Sequence, residues 1–338
     1  MRVISIGKNE AGQRLDKMLA KYLNRAPKSF LYKMLRKKNI TLNGKKAEGS
    51  EKLAVGDEVK LFLAEDTIEK FSEPVSGLQG IKKDTVKMES SPKGLPLPEI
   101  LYEDGNVLIF NKRAGVLSQK ADREEPSMVE YVISHCLKTG KLKPEDLRLF
   151  RPSVCNRLDR NTSGILVAGV SLAGLQEMAK LFHDRTVHKY YYGIIMGCLE
   201  KGKKIAGYLT KDHGKNQVVI TEKPLSEESQ WIETEYEPVS VGKRVTVLKI
   251  LLITGRSHQI RAHLASIGHP LIGDTKYGNS EQNRLFREKY KIRSQMLHAG
   301  ELTFPAMEGA CAALSQKTVT APLPEAFRRV MRGEELNI

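Results

Sequence analysis

The sequence predicts an α+β fold, with a mostly antiparallel sheet and flanking helices over residues 99–330, preceded by a small α/β module over residues 12–63. Three observations predict this arrangement. A chain of 338 residues is long for one compact core, so two folded parts are expected. Residues 64–98 are polar, contain several prolines and glycines, and are predicted to be a linker. After residue 98, apolar strand patterns dominate.

The N-terminal module is predicted from two short amphipathic helices. Leu15, Leu19 and Leu23 recur at helical spacing in the first helix, and Leu31 and Leu35 lie on one side of the second. A short apolar strand, an Asn-Gly turn at residues 43–44 and a second strand at residues 59–62 follow. This order of elements predicts a small independent α/β unit.

In the larger region, strands are predicted from apolar runs and helices from their end signals. The runs cover residues 107–110, 165–170, 187–196, 232–239 and 245–253. Ser171 is the expected N-cap of one helix. A second helix is expected over residues 257–267, because Gly268 and Pro270 follow it as end signals.

The charge of the chain indicates a polyanionic partner. The net charge is +15, and residues 1–65 hold 15 basic against 7 acidic side chains, a local net of +8. Such an excess favours nucleic acid, and RNA phosphates can be neutralised without reading of the bases. Our candidate phosphate contacts in the module are Arg36, Lys37, Lys38 and Lys45. The alternative for these four residues is an ordinary solvated basic face.

Several classes of function are disfavoured because the sequence lacks their characteristic signals. No apolar run is long enough to span a membrane, and residues 1–17 do not read as a secretory signal, so we expect a cytoplasmic protein without a membrane partner. The four cysteines are scattered, which fits reduced thiols better than disulfides or a zinc site. No glycine-rich dinucleotide or phosphate-binding loop is present, which disfavours nucleotide-cofactor enzymes and NTPases.

The strongest candidate for a reactive group is Asp159, in a polar segment that runs straight into an apolar strand. This placement predicts a loop held by a rigid element, where functional groups often lie. Arg157 and Arg160 flank the aspartate, and nearby cations stabilise a charged carboxylate. A charged carboxylate suits a nucleophile or an electrostatic stabiliser better than a proton donor. Taken alone, these residues could instead form a structural salt bridge.

A second candidate group lies on the predicted helix at residues 257–267. His258 and Arg261 share one side of this helix, so both can face the same site. The histidines here could suggest a metal, but His258 and His263 are five residues apart, and no glutamate occupies the metalloprotease position. We therefore predict no metal site, with helix-terminal and core histidines as the favoured alternative.

A third candidate is the tyrosine-rich strand that begins at Lys189. Strand alternation sends Tyr191 to the face opposite Tyr190 and Tyr192. Aromatic rings stack on unpaired bases, at about 1–3 kcal/mol per base. Ordinary core and edge tyrosines are the alternative for this strand considered by itself.

Together and in this order, these segments resemble the pseudouridine synthases that modify ribosomal and transfer RNA, in the RluA-type branch of that family. The similarity runs from about Ile100 to Phe304. It includes Arg-Leu-Asp-Arg-x-Thr-Ser-Gly from residue 157, Lys-x-Tyr from residue 189, Thr-Gly-Arg-x-His-Gln-Ile-Arg from residue 254 and Leu-His-Ala from residue 297. Residues 14–62 resemble the αL RNA-binding module named for a small-subunit ribosomal protein.

The resemblance implies an isomerase that converts specific uridines of structured RNA to pseudouridine, with large-subunit ribosomal RNA as the expected substrate. It implies a monomer that needs no cofactor and no metal. It also implies that Asp159 is the catalytic aspartate, Arg261 its ion-pair partner and Tyr191 the ring that packs against a flipped uracil. The candidate RNA contacts of this region are Arg157, Arg160, Arg256 and His258.

Three departures from the family pattern leave subfamily and substrate open. Asn156 stands where many members have His, Arg113 replaces a frequent Pro, and Gly193 replaces a frequent Ala. Two other functions compete with the synthase. A non-catalytic RNA-binding ribosome-assembly factor would keep the basic module but would not need Asp159 with Arg261. A glycosidase would need a second carboxylate, for which Asp212 and Asp274 are the candidates.

Overall fold

The computed structural model describes residues 1–72, 97–120, 125–144, 146–212, 214 and 217–337. Two sheets organise these residues, one of four strands and one of eleven. Most of the predicted linker, residues 73–96, lies outside the described residues.

The N-terminal module consists of four strands and three short helices: β1 (Arg2–Ser5), α1 (Leu15–Tyr22), α2 (Lys28–Arg36), β2 (Ile40–Leu42), β3 (Lys45–Lys46), β4 (Glu58–Leu61) and α3 (Glu65–Phe71). Its sheet is antiparallel, in the order β1-β4-β2-β3. Leu15, Leu19 and Leu35 are buried in its core. The predicted turn is present, with Asn43 and Gly44 at φ values of 51° and 72°, the positive pair that a two-residue hairpin favours.

The prediction of a linker from residue 64 is wrong at its start, because residues 65–71 form α3. Ile68 is fully buried in the module core, and the Phe71 ring lies 4.5 Å from the Phe30 ring between centroids. The apolar face of α3 is only these two residues, one turn apart, which is too short to show a helical period. Strand β1 lies before the predicted start of the module at residue 12 and pairs with β4.

The larger region contains the following elements: β5 (Glu99–Glu103), β6 (Val107–Lys112), α4 (Met128–Lys138), β7 (Ser153–Val154), β8 (Ser163–Gly169), α5 (Leu172–His183), β9 (His188–Met196), β10 (Lys203–Asp212), β11 (Gln217–Thr221), β12 (Gln230–Val241), β13 (Val245–Leu252), α6 (Gln259–Ser266), α7 (Ser280–Tyr290), β14 (Leu297–Thr303), β15 (Thr318–Thr320) and α8 (Glu325–Gly333). The main path of its sheet runs β11-β10-β12-β13-β9-β14-β8-β6-β5. Among these pairs only β8 and β14 are parallel in the described residues. The predicted α+β class is confirmed.

The predicted helix ends agree with the structure at α5 and differ at α6. The Ser171 hydroxyl accepts a hydrogen bond from the Gly174 amide at 3.0 Å, as an N-cap does. Helix α6 begins at Gln259 instead of residue 257, because His258 adopts the left-handed conformation with φ 57°. Gly268, at φ 83°, follows the end of α6 as predicted.

Strand β8 fixes the position of the segment that precedes it. All seven residues of β8 are buried, and Gly164 has φ 114°. A Cβ atom at Gly164 would lie 2.2 Å from the backbone oxygen of Ala299 on β14. Only glycine fits this contact, so the loop before β8 is held against the centre of the sheet. Tyr191 of β9 and Ile250 of β13 lie on one face of this sheet, where they pack in one core with Leu264 of α6.

Candidate active site

Asp159 lies on the loop between β7 and β8, which is anchored by hydrogen bonds on both sides of the aspartate. The Leu158 amide donates to the Ser118 hydroxyl at 3.0 Å, and that hydroxyl donates to the Leu158 carbonyl at 2.9 Å. The Thr162 amide donates to the Asp159 carbonyl, and the Gly115 amide donates to the Arg160 carbonyl. The loop therefore has a defined backbone, although the Asp159 side chain is only partly buried.

Lys112 supports the same loop from inside the protein. Its side chain is fully buried, and its ammonium donates to the carbonyls of Arg113, Val116 and Arg160 at 2.8–3.1 Å. Burial lowers the pKa of Lys112 to about 7, and the Asp159 charge opposes this shift. Three carbonyl acceptors match the three N–H groups of a protonated amine, so hydrogen bonding favours the charged form. Lys112 thus ties three backbone carbonyls together next to Asp159, and its protonated form interacts favourably with the Asp159 charge.

Arg261 of α6 joins Asp159 to a second carboxylate, Asp274. Its Nη1 donates to Oδ2 of Asp159 at 2.9 Å, so the predicted ion pair is present. Its Nε and Nη2 donate to the two oxygens of Asp274 at 2.7 and 2.9 Å. Burial alone would lower the pKa of Arg261, but Asp274 and then Asp159 raise it above its ordinary value. The guanidinium is therefore a permanent cation between two carboxylates.

The environment of Asp274 argues against its use as a proton donor. Burial by itself would raise the pKa of Asp274, but the hydrogen bonds and charge of Arg261 lower it below its ordinary value. The carboxyl is therefore ionised and holds no proton for a leaving group. A glycosidase that used Asp159 with Asp274 as its acid would lack that acid.

His258 also faces this cluster. Its Nε2 lies 3.9 Å from Oδ2 of Asp159, and its Nδ1 lies 3.0 Å from the Tyr277 hydroxyl. Burial lowers the pKa of His258, while the Asp159 charge opposes the shift. The Tyr277 ring also lies 5.2 Å from the centre of the Arg261 guanidinium, in cation–π range. The prediction that His258 and Arg261 face one site agrees with these distances, although His258 is the left-handed N-cap of α6 and not part of its helical face.

Tyr191 lies on β9 in the main core, on the face that carries the site. Burial raises the pKa of its phenol, and the nearby Asp159 carboxylate adds to the rise. Tyr192 is on the opposite face, where its hydroxyl donates to Glu301 at 2.5 Å. The predicted alternation of this strand is confirmed. The structure therefore brings Asp159, Arg261, His258 and the Tyr191 ring toward one place.

Seven of the eight predicted RNA contacts are exposed arginines and lysines, whereas His258 is partly buried beside Asp159. Near the site, the Arg157 and Arg256 side chains are exposed. Arg160 is also exposed and forms two hydrogen bonds to the Glu125 carboxylate, at 3.1 and 2.6 Å. The remaining candidates, Arg36, Lys37, Lys38 and Lys45, are exposed on the N-terminal module, between the end of α2 and β3.

Sequence reasoning missed three residues of this site. The sequence offered Asp274 only as a hydrolase carboxylate, and it did not single out Lys112 or Tyr277. Asp274 and Tyr277 lie beyond the end of α6, and only the fold shows that the chain returns to Arg261. The buried Lys112 could have been suspected, because it ends a strand that begins with the apolar run of residues 107–110.

Neither a metal-ligand cluster nor a membrane-spanning helix occurs in the part of the chain that the structure describes. Over those residues, no group of three or more His, Cys, Asp or Glu side chains is arranged to hold a metal ion. Over the same ranges, no helix is long and apolar enough to cross a membrane.

Comparisons with known proteins show which sequences and structures this chain resembles. Residues 106–266 match the family described as RNA pseudouridylate synthase. A protein of Vibrio cholerae named ribosomal large subunit pseudouridine synthase C is 30% identical, over 91% of this chain and 90% of its own. The Escherichia coli protein of the same name is 26% identical, over 98% and 96%. The solved structure of human RNA pseudouridylate synthase domain containing 4 has the same fold, with a TM-score of 0.57 and 22% identity over 71% of this chain and 94% of that one.

Proposed function

The chain belongs to the RNA pseudouridylate synthase family, and on that premise we propose that it isomerises specific uridines of large-subunit ribosomal RNA. As a member it is an RNA pseudouridine synthase, an isomerase. The substrate follows from its relatives, which are named for the large ribosomal subunit. We further propose that it acts in the cytoplasm as a monomer, with residues 2–71 as RNA-binding module and residues 99–330 as catalytic domain.

The single observation that carries the proposed chemistry is the ion pair between Asp159 and Arg261. A uridine inside a helix must leave the base stack to reach the carboxylate, which costs a few kcal/mol and less in loops. We propose that Asp159 then breaks the glycosidic bond, by attack on the sugar or by removal of a ribose proton. The uracil turns within the site, and its carbon 5 bonds to the ribose carbon in place of the bond that was broken. Carbon 5 then loses its proton to a base, and the freed N1 takes up a proton.

The roles proposed for the surrounding residues follow from their contacts with Asp159. Arg261 orients the carboxylate through its hydrogen bond, and the Tyr191 ring packs against the flipped uracil. Uracil separates from the ribose as a stabilised anion and stays in the site. One carboxylate therefore suffices, where a glycosidase uses two. No redox step and no phosphate activation occur, so the proposal includes no cofactor.

The test of this function is a map of pseudouridines in ribosomal RNA from cells with and without the gene. We expect one or a few large-subunit sites to lose pseudouridine, and to regain it when the wild-type gene is restored. Restoration by an Asp159→Asn gene would favour a non-catalytic assembly role. Loss only at transfer RNA sites would contradict the proposed substrate.

A further inference from the structure

The guanidinium of Arg261 is shared unequally between two carboxylates. Asp274 receives two of its nitrogens, Nε and Nη2, in a side-on arrangement at 2.7 and 2.9 Å. Asp159 receives one nitrogen, Nη1, at 2.9 Å. A paired contact fixes both the position and the plane of a guanidinium, whereas a single hydrogen bond leaves the plane free to rotate. Asp274, and not Asp159, therefore sets the orientation of Arg261.

Asp274 is itself held rigidly. Its side chain is 0% exposed, compared with 26% for Asp159. Its Oδ1 also accepts hydrogen bonds from the backbone amides of Lys276 and Tyr277 at 2.9 and 3.1 Å. The Asn283 side chain on α7 donates to the Asp274 carbonyl at 2.8 Å and accepts from the Gly273 amide at 2.7 Å. Asp274 is thus the fixed end of the Asp274–Arg261–Asp159 chain.

We propose that Asp274 is a positioning residue for catalysis, which holds Arg261 so that it contacts only one oxygen of Asp159. This inference rests on the proposed roles of Asp159 and Arg261. With Asp274 in place, most of the guanidinium charge is compensated and Oδ1 of Asp159 stays available to the substrate. Without Asp274, Arg261 can rotate and pair with both oxygens of Asp159, which makes the carboxylate a weaker nucleophile or base.

Asp274→Asn tests this role, with Glu334→Gln as a matched control. Glu334 is also a carboxylate with a largely buried side chain that pairs through two hydrogen bonds with an arginine, Arg244. With a target RNA fragment, we expect Asp274→Asn to lower kcat by about 10- to 100-fold, as loss of an orienting partner does, with KM within about three-fold. The control should keep wild-type kcat. A wild-type kcat in folded Asp274→Asn would overturn the proposal.

A double-mutant cycle distinguishes action through Arg261 from a separate effect. If Asp274 acts through Arg261, the Arg261→Gln/Asp274→Asn variant should be no slower than Arg261→Gln alone. If the fold-loss of kcat in the double variant equals the product of the two single losses, the proposal is overturned while the role of Arg261 stays intact. A wild-type kcat in Arg261→Gln would instead refute the proposed role of Arg261, and this inference with it.

Asp274→Glu keeps the charge and provides a second test if the asparagine variant does not fold. The longer side chain shifts the carboxylate by about one bond length, and a misplacement of about 1 Å in a catalytic group can cost about 100-fold. We expect a folded Asp274→Glu protein with kcat at least about 10-fold below wild type. Full kcat in this variant would show that the position of Asp274 does not matter.

Discussion

At the scale of single residues, the centre of the site is a row of three paired charges. Asp159, Arg261 and Asp274 follow one another as anion, cation and anion, and the buried Lys112 amine supports the Asp159 loop. Burying such charges is costly, and it succeeds only where each charge has partners. Arg261 has two carboxylates and Lys112 has three carbonyls. Removal of one cation should therefore disturb its neighbours more than removal of a surface charge would.

Arg261→Ala should lower both stability and activity. The substitution leaves Asp274 buried without its partner, for which we expect a loss of about 3–5 kcal/mol in the free energy of unfolding. Activity should fall because Asp159 also loses its cation. Urea unfolding and single-turnover kinetics measure the two effects. A folded variant with a near-normal rate would show that the ion pair is not needed for the reaction.

Lys112→Met should slow the reaction through its effect on the Asp159 loop, since the buried Lys112 side chain is not expected to contact the RNA. The change removes the Lys112 donor from the carbonyls of Arg113 and Val116, and each unsatisfied buried group costs about 1–3 kcal/mol. The Arg160 carbonyl loses one of its two donors and keeps the Gly115 amide. The Asp159 loop should then lose its fixed position. We expect a lower kcat, a lower melting temperature and unchanged RNA affinity. An unchanged kcat in the folded variant would mean that Lys112 serves stability alone.

At the scale of elements, the C-terminal helix α8 is attached to the sheet and to α7 through Glu334. This carboxylate pairs with Arg244 and Lys289 and accepts a hydrogen bond from the Tyr290 hydroxyl. These contacts lower the pKa of Glu334 to about 2, with the hydrogen bond to Arg244 as the largest cause. A carboxyl with a lowered pKa in the folded state stabilises the protein above its unfolded pKa, and that stability is lost as pH falls toward 2.

Glu334→Gln should therefore destabilise the protein at pH 7 and have a smaller effect at pH 4. Below a pH of about 4.5, the unfolded state binds a proton at this position that the folded state does not, so wild type loses its advantage. Urea unfolding of both proteins at the two pH values measures the difference. An equal difference at pH 7 and pH 4 would contradict the assignment of the stabilising contacts to the charged form.

Local sequence patterns correctly predicted those features that a few neighbouring residues determine. The N-cap at Ser171, the turn at residues 43–44 and the alternation around Tyr191 are of this kind. Helix α3 was missed because its buried face is two residues long. The start of α6 was misplaced because a left-handed histidine cannot be anticipated from helical spacing. Pairing of Asp274 with Arg261 depends on tertiary packing, which no local pattern contains.

At the scale of the whole molecule, the basic residues proposed to bind RNA and the proposed catalytic carboxylate lie in different parts of the chain. The exposed cations of the N-terminal module lie in one sheet unit, and Asp159 lies on the loop before β8 of the other. In the proposed function, phosphate contacts of the module supply affinity that depends on salt, and the Asp159 carboxylate supplies rate. Substitutions in the module should therefore change RNA binding and leave the chemical step alone.

Replacement of Arg36, Lys37 and Lys45 by glutamine should weaken RNA binding and reduce its salt dependence. For each cation that no longer neutralises a phosphate, the slope of log K against log salt should fall by about 0.7–0.9. The rate at saturating RNA should not change. A triple glutamine variant at Lys201, Lys203 and Lys243, exposed on the catalytic domain, serves as the control. An equal slope in both variants and wild type would refute the proposed role of the module.

Pseudouridine formation by Asp159→Asn tests the catalytic assignment most directly, because this change keeps the size of the side chain and removes its charge. Purified wild type and variant are incubated with a large-subunit RNA fragment, and pseudouridine is measured by mass spectrometry of the recovered nucleosides, with RNA affinity measured in parallel. We predict that the variant forms no pseudouridine while its RNA affinity stays within about three-fold of wild type, because binding rests on many basic contacts. Substantial turnover by the variant would contradict the assignment of Asp159 as the catalytic carboxylate.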